Sequence, residues 1–301
     1  MIKLPSGLDR KTLIDDLRII SWEAYDTLKH YAQILKDSNN KSNIIRNDNI
    51  EDPVTLADLK VNEIVIKKIN ENYKLINWKI LSEENVKLAS HESKANTEWI
   101  WILDPLDGTK DFIQGSQNYA MHLALNYKQK PILGIVLIPE KDELWISFGN
   151  DMWCEKRDRT VLKPNLIRKS FGDMVLVTSK NHGNEVLTNL IQKSNFKEVK
   201  VMGSIGCKIA SIVRGESDIY ICLSLPRKSA PKDWDFAAPE AILRAAGGAI
   251  TDLENNDLSY NQENYEQRGI IIASNDRETH SETCMQIKKI IKKFDLYPLN
   301  S

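Results

Sequence analysis

Four cysteines, Cys154, Cys207, Cys222 and Cys284, are scattered through 301 residues and form no CxxC pair. That scarcity argues against a disulfide framework or a zinc ribbon and leaves reduced thiols. No apolar run approaches the roughly eighteen residues that a membrane span needs, and the opening MIKLPSGLDRK lacks the apolar core of a secretion signal. A soluble, cytoplasmic protein is expected. Charge of one sign is lacking too: 42 acids offset 41 Lys and Arg, for a formal net charge of −1. No global field then holds nucleic acid or an anionic membrane, so any recognition of phosphate must be local. Internal repeats and low-complexity tracts are also absent.

The most informative stretch present is WIWILDPLDGTKDF, residues 99–112. Five apolar residues, aromatic and β-branched, have the length of a buried strand, and Pro105 and Gly108 break it where the acids begin. Asp104 and Asp107 therefore stand at a strand's end. Carboxylates crowded at the edge of a core repel one another and lose hydration, and a hard cation such as Mg²⁺ remedies both. Asp-Pro and Asp-Gly are also ordinary turn formers, which leaves a purely structural turn open.

Along the chain, Leu13, Ile14, Leu17, Ile20, Ala24, Leu28, Tyr31 and Leu35 recur at spacings of three and four, predicting one long helix over 8–35. An Asn-rich link follows. Val61, Ile64, Val65 and Ile69 then mark a second helix, whose start carries Asp52, Thr55 and Asp58. WKIL reads as a short strand leading into Glu83 and Glu84. YAMHLALNY, PILGIVLIP and ELWISF read as further strands. Beyond about residue 168 strands and helices alternate, MVLVTS, EVLTNLIQ, KEVKVMG, KIASIVRG and DIYICLSL in turn, as in an α/β unit. A helix through FAAPEAILRAAGG runs from Asp235, with Pro239 expected in its first turn. The domain boundaries expected are 1–168, an α+β lobe carrying most of the acids, and 169–301, an α/β lobe carrying Asp235.

Glu83, Asp104, Asp107 and Asp235 each stand where a strand or turn hands over to another element. Such junctions gather at one edge of a layered sheet, where ligands bind. Asp58 and Thr55 could join them from a helix start. Individually, Asp58 and Asp235 could be helix caps and Glu83-Glu84 a solvated loop. Jointly they supply the oxygens that two or three Mg²⁺ ions need for hydrolysis of a phosphate ester.

On these motifs, DPVTLAD (52–58), SEEN (82–85), DPLDGTKDF (104–112) and WDFAAPEAILRAAGG (234–248), the chain resembles the lithium-sensitive, Mg²⁺-dependent phosphatases of the inositol monophosphatase superfamily. The resemblance implies a layered αβαβα sandwich, α/β (α+β) in class. It implies metal ligation by Glu83, Asp104, Asp107, Asp235 and the Leu106 carbonyl, with Asp58 and Thr109 activating the attacking water beside Glu83. The amides of Gly108 and Thr109 would meet the phosphate.

Within that superfamily, TKDF looks most like the 3′(2′),5′-bisphosphate nucleotidases of sulfur metabolism. Ser179, Lys180 and His182 in TSKNH, and Ser204 with Lys208 in GSIGCK, resemble nucleotidase segments facing adenosine and the second phosphate. Cys222 stands where those enzymes usually carry an arginine, and Arg227 or Lys228 could replace its charge. FGNDMWCEK and DWDFAAPE also depart from the nucleotidase pattern, which keeps inositol and sugar phosphates open. The expected substrate is thus a phosphorylated small molecule and the expected assembly a monomer or homodimer. A silent metal- or phosphate-binding module is the reading from another class.

Overall fold

The computed structural model describes residues 4–36, 44–47, 54–88, 97–180 and 184–298. Asp52 and His182 lie outside these described residues, as does most of the Asn-rich link. Asp9 caps the first helix, α1 (Arg10–Leu35), by accepting from the amides of Lys11 at 2.8 Å and Thr12 at 3.1 Å. The apolar stripe read from the sequence is the buried face of α1, with Tyr31 half-buried. A short ladder of β1 (Ile45–Asn47) and β2 (Val54–Thr55) leads into α2 (Leu56–Asn72).

Helices α1 and α2 cover one face of a seven-stranded sheet. Its strands are β3 (Lys79–Ser82), β4 (Trp99–Asp107), β5 (Ala120–Tyr127), β6 (Lys130–Ile138), β7 (Glu143–Phe148), β8 (Asp151–Glu155) and β9 (Val161–Leu162), ordered as in the chain. Only β3 and β4 pair in parallel; the rest is an antiparallel meander. Short helices α3 (Glu83–Leu88) and α4 (Thr109–Ile113) follow β3 and β4. Glu83 thus opens a helix rather than a solvated loop, and Glu84 is buried.

A second sheet holds β10 (Val175–Ser179), β11 (Glu198–Met202), β12 (Ile219–Leu223), β13 (Ala249–Asp252) and β14 (Ile270–Ser274) in the order β11-β10-β12-β14-β13. Helices α5 (Glu185–Ser194) and α8 (His280–Phe294) close its outer face, while α6 (Ile205–Val213) and α7 (Asp233–Ala246) fill the space between the two sheets.

Side-chain alternation explains this layering. Strand residues point to opposite faces in turn, so a strand buried on both sides must be apolar throughout. Trp101, Leu103, Leu123 and Leu125 meet α1 and α2, while Ile100, Ile102 and Ala124 join the central core with α6 and α7. In the second sheet, Val177 and Tyr220 face that central core, and Leu176, Ile219 and Ile221 face α5 and α8. Three apolar clusters, the central one spanning both faces of the middle helix layer, hold five layers together, giving the expected αβαβα sandwich.

Two expectations change. Strand β4 does not stop at Asp104 but continues to Asp107 through an irregularity in its pairing with β5. Pro239 lies beyond the first turn of α7, which begins at Asp233. There it has no N–H to offer the carbonyl of Asp235 four residues earlier. Strands β8, β9, β13 and β14 and helix α8 are additional to the elements read from the sequence.

Candidate active site

The irregularity in β4 builds the site. Residues three apart on a regular strand face opposite sides, which would part Asp104 from Asp107. Asp104 pairs with His122 and Asp107 with Ala120, so three steps on β4 oppose two on β5. That is a one-residue bulge, and the extra residue returns Asp107 to the side of Asp104. Asp235 arrives from the first turn of α7, in the middle layer. Carboxylate oxygens of Asp104, Asp107 and Asp235 all lie within 4.8 Å of one another. Glu83 stands against Asp104 from the start of α3, and Lys87 pairs with it at 2.9 Å.

These acids are poorly compensated. Burial, then the charges of Glu83, Asp107 and Asp235, hold the Asp104 carboxyl well above the ordinary carboxylate range. Burial also leads at Asp235, followed by the charge of Asp107, and the amide of Lys232 at 2.5 Å opposes the shift only in part. An all-oxygen donor set with excess negative charge fits hard divalent cations and suits soft metals badly.

Beside the acids stands a second arrangement. Asp58 is the third residue of α2 and forms a capping box with Thr55, accepting from its amide at 2.8 Å and its hydroxyl at 2.5 Å. Its other oxygen, Oδ1, is 3.2 Å from Thr109 Oγ1, which also lies 2.9 Å from the Leu106 carbonyl. Capping and functional readings of Asp58 therefore coincide in one side chain. Burial pushes its pKa up to about 7, against the lowering effect of the Thr55 hydroxyl. Gly108 caps α4 with φ of +89°, and a Cβ there would come within 2.8 Å of the Asn118 carbonyl. The turn between Asp107 and Thr109 thus requires glycine.

The residues expected to face substrate are less uniform. Ser179, at the end of β10, is half-buried and hydrogen-bonds to Tyr220, which also touches Cys222. Lys180 pairs with Gln114 at 2.8 Å. Ser204 instead turns its hydroxyl to Asp107 Oδ2, 2.6 Å away, while capping α6 through the Cys207 amide. Lys208 is buried, its ammonium donating to the Gly203 carbonyl at 2.5 Å and lying 5.2 Å over the Tyr220 ring. Burial lowers its pKa. Arg227 and Lys228 sit in an exposed turn, Arg227 with a positive φ of 64°. Sequence reading passed over His122, 3.3 Å from Asp107. A polar residue inside the apolar alternation of YAMHLAL was the available signal.

Fold and acids together define a layered α/β protein with a cluster of crowded carboxylates where β4 meets α7. The chain belongs to the inositol monophosphatase family, whose model matches residues 10–292. The 3′(2′),5′-bisphosphate nucleotidase CysQ of Buchnera aphidicola is 32% identical over 214 residues, 69% of this chain and 74% of that protein. The protein of the same name from Haemophilus influenzae is 28% identical over 240 residues, 79% of this chain and 85% of its own length. Among solved structures, the extragenic suppressor protein suhB of Bartonella henselae matches with a TM-score of 0.72 at 21% identity, over 92% of this chain and 99% of that one. Inositol monophosphatase II of Staphylococcus aureus matches at 0.70 and 20% identity, over 95% and 97%. These two structural likenesses establish the fold.

Proposed function

We propose that the protein is a Mg²⁺-dependent phosphomonoesterase that removes the 3′-phosphate of adenosine 3′,5′-bisphosphate to leave AMP. The observation that carries this reading is the Thr109–Asp58 pair standing beside three acids whose oxygens converge within 4.8 Å. The relatives named 3′(2′),5′-bisphosphate nucleotidase support the substrate.

In this reading Glu83, Asp104, Asp107, Asp235 and the Leu106 carbonyl hold two or three Mg²⁺ ions, whose charge offsets the four carboxylates. When bound, the ions supply Lewis-acid charge to the phosphoryl group and its leaving oxygen. Thr109 orients the attacking water by accepting a proton at Oγ1 while passing its own to Asp58 Oδ1. Asp58, with a pKa of about 7, is matched to that task at neutral pH. Thr55 fixes the Asp58 carboxylate from the opposite side. We read the Gly108 and Thr109 amides as facing phosphate oxygens. Residues 1–168 form the lobe with most of the acids, and 169–301 the lobe with Asp235 and the substrate-facing Ser179 and Lys208.

A panel of phosphate esters with free phosphate as readout tests this. With Mg²⁺, kcat/KM for adenosine 3′,5′-bisphosphate should exceed that for inositol 1-phosphate and fructose 1,6-bisphosphate by roughly 100-fold, the discrimination of a site built to pair a second phosphate. A reversed order would replace the nucleotidase reading by a sugar or inositol phosphatase. Inhibition by LiCl in a dose series is expected, since Li⁺ also favours oxygen cages. Hydrolysis of no ester in the panel would favour a silent binding module.

A further inference from the structure

We propose that His122 is a positioning residue for metal binding: its imidazole, held by the Trp234 carbonyl, packs against Asp107, and so sets where Asp107 stands relative to Asp235. This inference rests on the reading of Asp107 and Asp235 as metal ligands.

The ring is fully buried on β5, directly opposite Asp104 across the β4–β5 ladder. Its Nε2 lies 3.3 Å from Asp107 Oδ2 and makes no hydrogen bond to it or to any other described group. On the far side, Nδ1 lies 3.3 Å from the carbonyl of Trp234, the residue before Asp235 in the first turn of α7. One ring therefore touches both ligand-bearing elements, which come from different layers and have no covalent link near the site. A neutral imidazole carries one N–H, which Nδ1 donates to the Trp234 carbonyl, so Nε2 limits how closely Asp107 Oδ2 can approach the ring rather than bonding to it.

Neighbouring residues are shaped around this contact. A Cβ on Gly206 would fall 2.2 Å from His122 Nε2, so the imidazole occupies space that any other residue at 206 would take. The Gly206 amide also points at Asp107 Oδ2, at 3.2 Å, and Ser204 donates to the same oxygen at 2.6 Å. Three groups thus crowd one oxygen of Asp107, a carboxylate that brings an oxygen within 4.8 Å of those of Asp104 and Asp235. Hydrogen bonds such as those from Ser204 and the Gly206 amide orient ligating carboxylates and strengthen metal sites, and the buried ring beside them fixes the space that oxygen can occupy.

Calorimetric titration of the full chain with MgCl₂, without substrate, tests the idea. His122→Phe and His122→Leu remove both polar contacts while keeping an apolar filling, and should weaken Mg²⁺ binding by about tenfold or more. His122→Asn, which retains a donor, should recover a large part of that loss. Gly206→Ala leaves His122 in the chain but presses on the ring, and should weaken Mg²⁺ binding in the same direction. Circular dichroism identifies the folded variants, and KM for the phosphate ester should change less than the Mg²⁺ requirement. A folded Phe or Leu variant, or Gly206→Ala, that binds Mg²⁺ within twofold of the wild type would overturn the proposal. Wild-type protein that binds no Mg²⁺ would instead remove the functional reading beneath it.

Discussion

Asp235, half-buried, and Glu240, buried, are carboxylates on the same helix, α7, and their surroundings are opposite. Glu240 accepts from Arg244 at 2.5 Å and from the Tyr260 hydroxyl, so a counter-charge and a donor answer its two oxygens. Asp235 has the Lys232 amide and, beyond it, further acids. Natural cores satisfy buried charge almost without exception, because an unpaired one costs several kcal/mol. The half of α7 that satisfies its carboxylate is architecture. The half that leaves its carboxylate facing like charge is the half on which the proposed metal site rests.

The sharpest way to break this comparison is to neutralise each acid in turn. Asp104→Asn or Asp235→Asn should lower kcat/KM by roughly 10³-fold or more, above the 10- to 100-fold that changes outside the ligand set cost. The same substitutions should raise the melting temperature of metal-free protein, since they remove a buried repulsion, and at position 104 the introduced amide oxygen can still accept from the Leu106 N–H as Asp104 does. Assays with saturating Mg²⁺ and thermal melts in chelator read the two effects. Wild-type activity in either variant would remove that acid from the mechanism.

Glu240→Gln should do the reverse. Activity is expected to stay within about threefold, while the loss of Arg244's buried partner costs about 1–3 kcal/mol. A drop of several degrees in melting temperature would register it. A larger fall in activity than in stability would mean that the Arg244 contact to the Pro131 carbonyl also places the N-terminal turn of α7.

Much of this contrast could be read from the chain. Periodicity alone located α1, α2 and the two-sided apolar strands, because burial on both faces forces β4 to β7, β10 and β12 to be largely apolar in both phases. The acids were visible as residues standing at element junctions. Their mutual geometry was not, because an i, i+3 pair on a strand meets only through a bulge, and a bulge is set by the partner strand. The same holds for Ser204: the motif suggested a substrate contact, but the N-cap of α6 aims its hydroxyl at Asp107. His122 has no local sequence signature beyond its polarity, since its role depends on register with β4 and on the approach of α7. Glu240 was equally illegible, because its partner Tyr260 lies on a segment the sequence pattern did not assign.

The pH dependence of stability gives the smallest and most direct measure of the uncompensated acids. Asp58 titrates at about 7 in the folded chain against an ordinary value of 3.8, with burial as the leading cause, and Asp104 and Asp235 move in the same direction. Folded protein therefore binds more protons than unfolded protein between about pH 4 and 7, and its stability falls as pH rises through that window. Glu240 at about 7 and Asp233 at about 6 act with the same sign, and His280, lowered to about 4, acts with the opposite one. Those three lie outside the cage, so Mg²⁺ leaves their share unchanged. Saturating Mg²⁺ adds about 2.7 kcal/mol at a hundred times its Kd and offsets the repulsion that grows with pH. Melting temperatures measured from pH 5 to 8 should accordingly decline in chelator and decline less, or rise, with MgCl₂. Two parallel curves would show that the divalent ion does not answer the charge of these carboxylates.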